Sequence, residues 1–180
     1  MRKLIFIAVT ALLALPALAV AGSPPSPASQ AAAVKQCTTE RNANPAAFKL
    51  TYGTPNTNRS NAFGKCVSKL AQQNEQEHSN AAAQCRTERS ADATAFAATY
   101  GAGPNHKNAF GNCVSMKAKA AAAARVEATI NAAKSCWTER KADLAAFKAK
   151  YGTPNTNMSN AFGKCVSGKD KQSSPEGSPS

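Results

Sequence analysis

The sequence predicts an all-α protein built of three tandem disulfide-stapled helical units joined by longer connector helices. Three observations lead there. One set of motifs recurs three times along the chain, six cysteines bound the copies, and the segments between copies contain neither Pro nor Gly while being rich in helix formers.

The chain opens with Met1-Arg2-Lys3, an apolar run from Leu4 to Leu15, then Pro16 and the small-residue stretch Ala17-Leu18-Ala19-Val20-Ala21. A basic start, an apolar middle and an A-x-A site form an export signal, so residues 1–21 are expected to be removed. The apolar run is shorter than the roughly 20 residues that a bilayer core requires. The mature chain is therefore expected to be secreted or extracytoplasmic, with no transmembrane segment. Residues 22–28, rich in Pro and Ser, read as a disordered linker.

Copy one, 29–68, carries Cys37-Thr38-Thr39-Glu40-Arg41, Ala47-Phe48, Tyr52-Gly53 and Asn61-Ala62-Phe63-Gly64-Lys65-Cys66-Val67-Ser68. Copy two, 84–115, repeats them at Cys85-Arg86-Thr87-Glu88-Arg89, Phe96, Tyr100-Gly101 and Asn108 to Ser115, and copy three, 135–168, at Cys136-Trp137-Thr138-Glu139-Arg140, Phe147, Tyr151-Gly152 and Asn160 to Ser167. Between 52–68 and 151–167 only Arg59 and Met158 differ, which identifies duplication as the origin. Cysteines within a copy lie 29, 28 and 29 residues apart. A unit closed on itself pairs Cys37 with Cys66, Cys85 with Cys113 and Cys136 with Cys165, although six cysteines permit 15 pairings in principle. Each such loop contributes about 3 to 4 kcal/mol in the chain-entropy picture. Units with two Phe, one Tyr and one or two Val apiece are too small to do without it.

Within copy one, Val34, Cys37 and Arg41 lie three and four residues apart and predict a first helix over 29–41. Phe48 and Tyr52 mark a second, shorter helix, with Gly53 expected as its left-handed C-terminal cap. Asn61 is placed to cap a third helix, whose Phe63, Cys66, Val67 and Leu70 form one stripe. Gly64, Gly111 and Gly163 recur inside that helix, where Gly costs about 1 kcal/mol relative to Ala. Close approach of a neighbouring backbone near the disulfide is the expected reason. The connectors, 69–83 and 116–134, are expected to continue the third helix of one copy into the first of the next, giving three small knots along helical struts. Residues 169–180 read as a disordered tail.

The whole chain carries a formal charge of +12; without Arg2 and Lys3 the mature chain keeps +10. Such a chain favours anionic partners, either cell envelope or extracellular polymers, while no motif specific for nucleic acid is present. Possible anion or partner contacts are Arg59, Lys65, Lys107 and Lys164, near the expected start of each third helix, and Trp137, which stands where the other copies have Thr38 and Arg86. No C-x-x-C or other metal spacing occurs, the Asn-rich loops lack the carboxylates calcium requires, and neither a metal nor a cofactor is expected. Asn58-Arg59-Ser60 and Asn157-Met158-Ser159 match glycosylation acceptors, a weak pattern in loops this rich in Asn and Ser. The cysteines are assigned to disulfides, His78 and His106 are isolated, and no nucleophile motif is found, so the chain reads as a non-catalytic protein. Convergence of Glu40, Arg41 and Tyr52 in an open cleft would reverse that reading. The alternative class is a small secreted effector, antimicrobial or inhibitory, acting on a membrane or a protein partner.

At C-x-T-E-R, A-F-x-x-x-Y-G and N-A-F-G-x-C-V-S, from Cys37 to Ser167, the chain resembles exported bacterial proteins of uncharacterised function that carry the same cysteine-bounded repeat. That resemblance implies export and repeat architecture. It implies no activity, cofactor or binding residue.

Overall fold

Among the described residues the fold consists of seven helices: α1 (Pro27–Ala43), α2 (Pro45–Tyr52), α3 (Ala62–Ala91), α4 (Ala93–Tyr100), α5 (Ala109–Ala142), α6 (Leu144–Tyr151) and α7 (Ala161–Ser173). They belong to a computed structural model that describes residues 24–55, 58–154 and 157–173, among which there is no strand. The expected leader, 1–21, with residues 22–23 and 174–180, lies outside the described residues. Two boundaries differ from the sequence expectation. Pro27 and Ala28, assigned to a linker, already belong to α1, because Ser26 caps it by accepting from Ser29 N–H and Pro27 is suited to the first turn. At the other end 169–173 continue α7, and Lys169 is tied to Glu139.

The three disulfides are Cys37–Cys66, Cys85–Cys113 and Cys136–Cys165, each within one copy. Each joins a long helix to the next: α1 to the start of α3, the end of α3 to the start of α5, and the end of α5 to α7. The hinge is one residue per copy. Asn44, Asp92 and Asp143 adopt extended backbone at φ −159°, −153° and −153°, ending one helix while their side chains cap the next. Asn44 Oδ1 accepts from Ala47 N–H at 2.9 Å, and Asp92 and Asp143 accept from Ala95 and Ala146 N–H at the same distance. The short helix thereby folds back, and its Phe is buried in the core beside the disulfide.

Gly53, Gly101 and Gly152 end the short helices, but in extended rather than left-handed backbone. Their need for glycine is steric. A Cβ on Gly53 would collide with Arg59, and one on Gly152 with Met158, because the following loop packs back against the helix end. The left-handed residues are instead in the loop, at Asn58, Arg59, Gly103, His106, Asn108, Asn157 and Met158. Asn61 does not cap α3 through its side chain. It accepts from Thr54 N–H at 3.1 Å and donates to Thr54 Oγ1 at 2.8 Å, closing the loop; Asn160 does the same with Thr153.

The struts do not hold the copies apart. α3 and α5, of 30 and 34 residues, rise about 45 and 51 Å. They run unbroken through 69–83 and 116–134 and pack against each other, so copies one and three lie side by side at one end and copy two occupies the other. One core contains Ala33, Cys37, Phe48, Tyr52, Cys66 and Leu70. The core of copy three, Phe147, Phe162, Cys165 and Val166, also takes in Ala47 and has Leu50 packed against it, both from α2 of copy one. Copy two buries only Cys85, Phe96 and Cys113.

Polar contacts fix the long helices in register. Arg125 on α5 donates from Nε to Glu77 Oε1 at 2.6 Å and from Nη2 to Asn74 Oδ1 at 2.8 Å and Gln36 Oε1 at 3.4 Å. Asn74 in turn donates to Ser29 O at 3.0 Å, linking α3 to α1. Glu75 accepts from Ser26 N–H at 2.7 Å, and bonds from the Ser26 hydroxyl and amide hold its carboxyl down to about 2.

The recurring helix glycines have different surroundings. Gly163 faces Thr51 O, which a Cβ would approach to 3.2 Å, so there the expected close approach is present and it seats α2 of copy one on α7. Gly64 and Gly111 have open space instead, which corrects the expectation for copies one and two. Gly64→Ala and Gly111→Ala should therefore each stabilise the protein by about 0.5–1 kcal/mol. Gly163→Ala should bring no such gain. Urea midpoints of the three variants check this difference.

Candidate functional site

The Glu of C-x-T-E-R and the Tyr of Y-G meet in every copy. Tyr52 Oη donates to Glu40 Oε2 at 2.6 Å, Tyr100 to Glu88 at 2.8 Å and Tyr151 to Glu139 at 2.9 Å. Glu follows the first cysteine by three residues on the same helix face, and the hinge returns the short helix so that its last residue reaches that face. The neighbouring Arg goes elsewhere. The Arg41 guanidinium lies 4.8 Å from the Phe63 ring centre, Arg89 5.1 Å from Phe110 and Arg140 5.4 Å from Trp137. Glu40, Arg41 and Tyr52 thus do not converge in an open cleft: Glu40 and Tyr52 are buried, and Arg41 covers an aromatic ring on the exposed side.

A lysine completes the pair in two copies. Lys117 Nζ lies 2.8 Å from Glu88 Oε1, and Lys169 Nζ contacts Glu139 Oε1. These bonds hold both carboxyls below the ordinary range. Each lysine follows its second cysteine by four residues, and in copy one that place belongs to Leu70, which is buried. Glu40 consequently has no lysine contact. Burial raises its pKa against the opposing effects of the Tyr52 hydrogen bond and the Arg125 and Lys69 charges, and burial raises that of Tyr52 as well. Asp170 of α7 is also raised by burial, opposed by Lys69, by a bond from Thr129 and by Arg125. The ionisable groups of four long helices therefore meet where copies one and three join.

No family model, curated protein or solved structure matches this chain. Its chemistry is read from its own residues.

Most of the carboxylates have a hydrogen-bond or ion-pair partner within the chain or cap a helix. Glu40, Glu75, Glu77, Glu88, Glu139 and Asp170 have the partners given above, and Asp92 and Asp143 cap α4 and α6. Lys35, Lys49, Lys65, Lys107, Lys119, Lys148 and Lys164 are exposed. Lys65 and Lys69 line a groove of copy one beside Gly64, and Lys164 and Lys171 line another, between α2 and α7. Lys107 is on the loop of copy two, where its backbone pairs with Ala102. Among the described residues no three His, Cys, Asp or Glu are grouped to hold a metal, and no helix is long and apolar enough to cross a membrane.

Two expected contact residues have internal work. Arg59 donates from Nη1 to Gly53 O at 2.9 Å and from Nη2 to Ser159 O at 3.0 Å, joining copy one to copy three instead of meeting an anion. Trp137 is half-buried, edge-on to Phe162 at 6.0 Å and beneath Arg140 and Lys141. Sequence reasoning also missed residues. Arg125 is the one base inside an otherwise Ala-rich stretch of connector, and Leu70 interrupts the lysine found at the same distance from Cys113 and Cys165. Both signals were visible once the copies were aligned beyond their last motif.

Proposed function

We propose that this chain is an exported, non-catalytic attachment protein that binds anionic polymers of the cell envelope or its surroundings. The observation that carries this reading is the separation of charge, with carboxylates bonded internally or at caps and most lysines exposed. Exposed lysines with no carboxylate partner among the described residues leave a positive surface that attracts anions. The two lysine-lined grooves and the loop of copy two offer several weak contacts, whose joint engagement raises affinity without any strong single site. Three internal disulfides suit an oxidising compartment outside the cytoplasm.

Binding of the mature protein to isolated envelope and to a soluble polyanion, at 50 and 200 mM salt, tests the reading. If six or more anionic groups are engaged, affinity should fall by about 10³-fold or more between those concentrations. Replacing Lys65, Lys164 and Lys171 together by Glu should weaken binding at low salt and flatten the salt dependence. Binding that is absent, or indifferent to salt, would refute polyanion attachment.

A further inference from the structure

The protein shows twice what completes a half-buried Glu–Tyr pair: the ammonium of Lys117 on Glu88, which holds Tyr100, and the ammonium of Lys169 on Glu139, which holds Tyr151. Copy one keeps the pair and lacks the lysine, since Leu70 stands in its place. Glu40 is only 6% exposed, and its Oε1 is buried without a hydrogen-bond partner among the described residues. Arg125 and Lys69 act on it through charge, but the guanidinium hydrogen bonds of Arg125 go to Glu77, Asn74 and Gln36, and the Lys69 ammonium lies over the Tyr52 ring, 5.8 Å from its centre. A buried carboxylate oxygen left unpaired is unfavourable by a few kcal/mol.

Beside Glu40 is a small cavity of about 50 Å³ enclosed by α1, α2 and α5. It exceeds the 10–15 Å³ or so that one water needs. Besides Glu40 its walls include Phe48, Tyr52, Thr129, Ile130 and Ala133. A hard metal ion would want several oxygen ligands, whereas these walls are mainly apolar and aromatic. They suit a cation carrying a short hydrocarbon stem: N–H groups directed at the carboxylate, the positive charge near aromatic rings, and methylenes against Ile130 and Ala133.

We infer that the cavity beside Glu40 is a binding site for a primary ammonium group, the chemical counterpart of the lysines that occupy copies two and three. The ammonium reaches it from the side of α2 and α5, because Leu70 closes the route used by Lys117 and Lys169. Two sources share this chemistry: a free alkylammonium, and Lys134 of the same chain, which also lines the cavity.

The test is an NMR titration of the oxidised mature protein with methylammonium chloride, using methanol as the neutral isostere and sodium chloride as the salt control. Methylammonium should produce saturable shifts at Thr129, Ala133 and Phe48 that neither control produces. Glu40→Gln should abolish them, and so should Leu70→Lys, which supplies a tethered ammonium. Saturation seen only after Lys134→Met would identify Lys134 as the resident ammonium and uphold the site. Equal shifts with methanol, shifts persisting in Glu40→Gln, or no saturable response in either the parent or Lys134→Met would overturn the inference. These outcomes are independent of polyanion binding, which is read on the outer lysines.

Discussion

Replacing Cys85 and Cys113 together by Ala should unfold copy two alone and leave copies one and three folded. Loss of a bridge closing a loop of this size is expected to cost about 2–5 kcal/mol. Copy two has little to set against it. Its fully buried set is Cys85, Phe96 and Cys113, with Tyr100, Phe110 and Val114 only half-buried around them. No short helix of another copy leans on it, so the damage should remain local. Removing Cys136 and Cys165 should behave differently, since the core of copy three includes Ala47 and packs against Leu50 from copy one. Hydrogen exchange distinguishes the cases. In the first variant fast exchange should be confined to α4 and the adjoining ends of α3 and α5, and in the second it should extend into α2. Uniform loss of protection in the first variant would mean that the two ends fold as one cooperative unit, contrary to the core distribution.

That contrast between the ends was only half legible in the sequence. Helical composition, cysteine spacing and the Phe, Cys and Val stripe led to the helices and to the pairing of Cys37 with Cys66 and its equivalents, because those features are local and repeat three times. The association of copies one and three was not legible, because it depends on a carbonyl of Thr51 approaching Gly163 and on Arg59 reaching Ser159 O, contacts across 100 residues of chain. The duplication itself concealed this. Gly64 and Gly163 lie in the same motif, and only tertiary placement makes one a contact and leaves the other open. Arg59 was misread for a related reason: a cation beside a helix start looks free for an anion until the carbonyls that satisfy it are in view. The bonds of Glu40, Glu88 and Glu139 were not legible either, because the partner is a tyrosine twelve residues on that only the hinge brings back.

The long helices should separate most readily when Arg125 is replaced. Arg125 and Glu77 are 12% and 15% exposed at their side chains, so their ion pair is largely removed from water. Breaking such a pair by deleting one member typically costs about 3–5 kcal/mol, because the remaining charge stays buried without compensation. Arg125→Met keeps much of the stem while removing the guanidinium, and it also leaves Asn74 Oδ1 without its donor. Adding Glu77→Gln should restore part of the loss, since the orphaned carboxylate is then gone. Arg125→Lys should restore less than its charge implies, because one ammonium cannot serve Glu77 and Asn74 with the geometry of a guanidinium fork. The deficit of Arg125→Met should also depend on pH. Glu40 has its folded-state pKa raised by burial, so its contribution to stability is present below the unfolded value and is lost as pH rises through the folded one. Arg125 opposes that rise, and without it the ionised form of Glu40 becomes still less favourable. The variant should therefore lose most at neutral pH and recover toward the parent as the pH falls through the carboxylate range. Urea unfolding at pH 7 and pH 4, carried out with Glu77→Gln present so that Glu77 does not titrate, measures this effect, and a deficit that stayed constant between them would show that Arg125 reaches neither Glu40 nor Asp170.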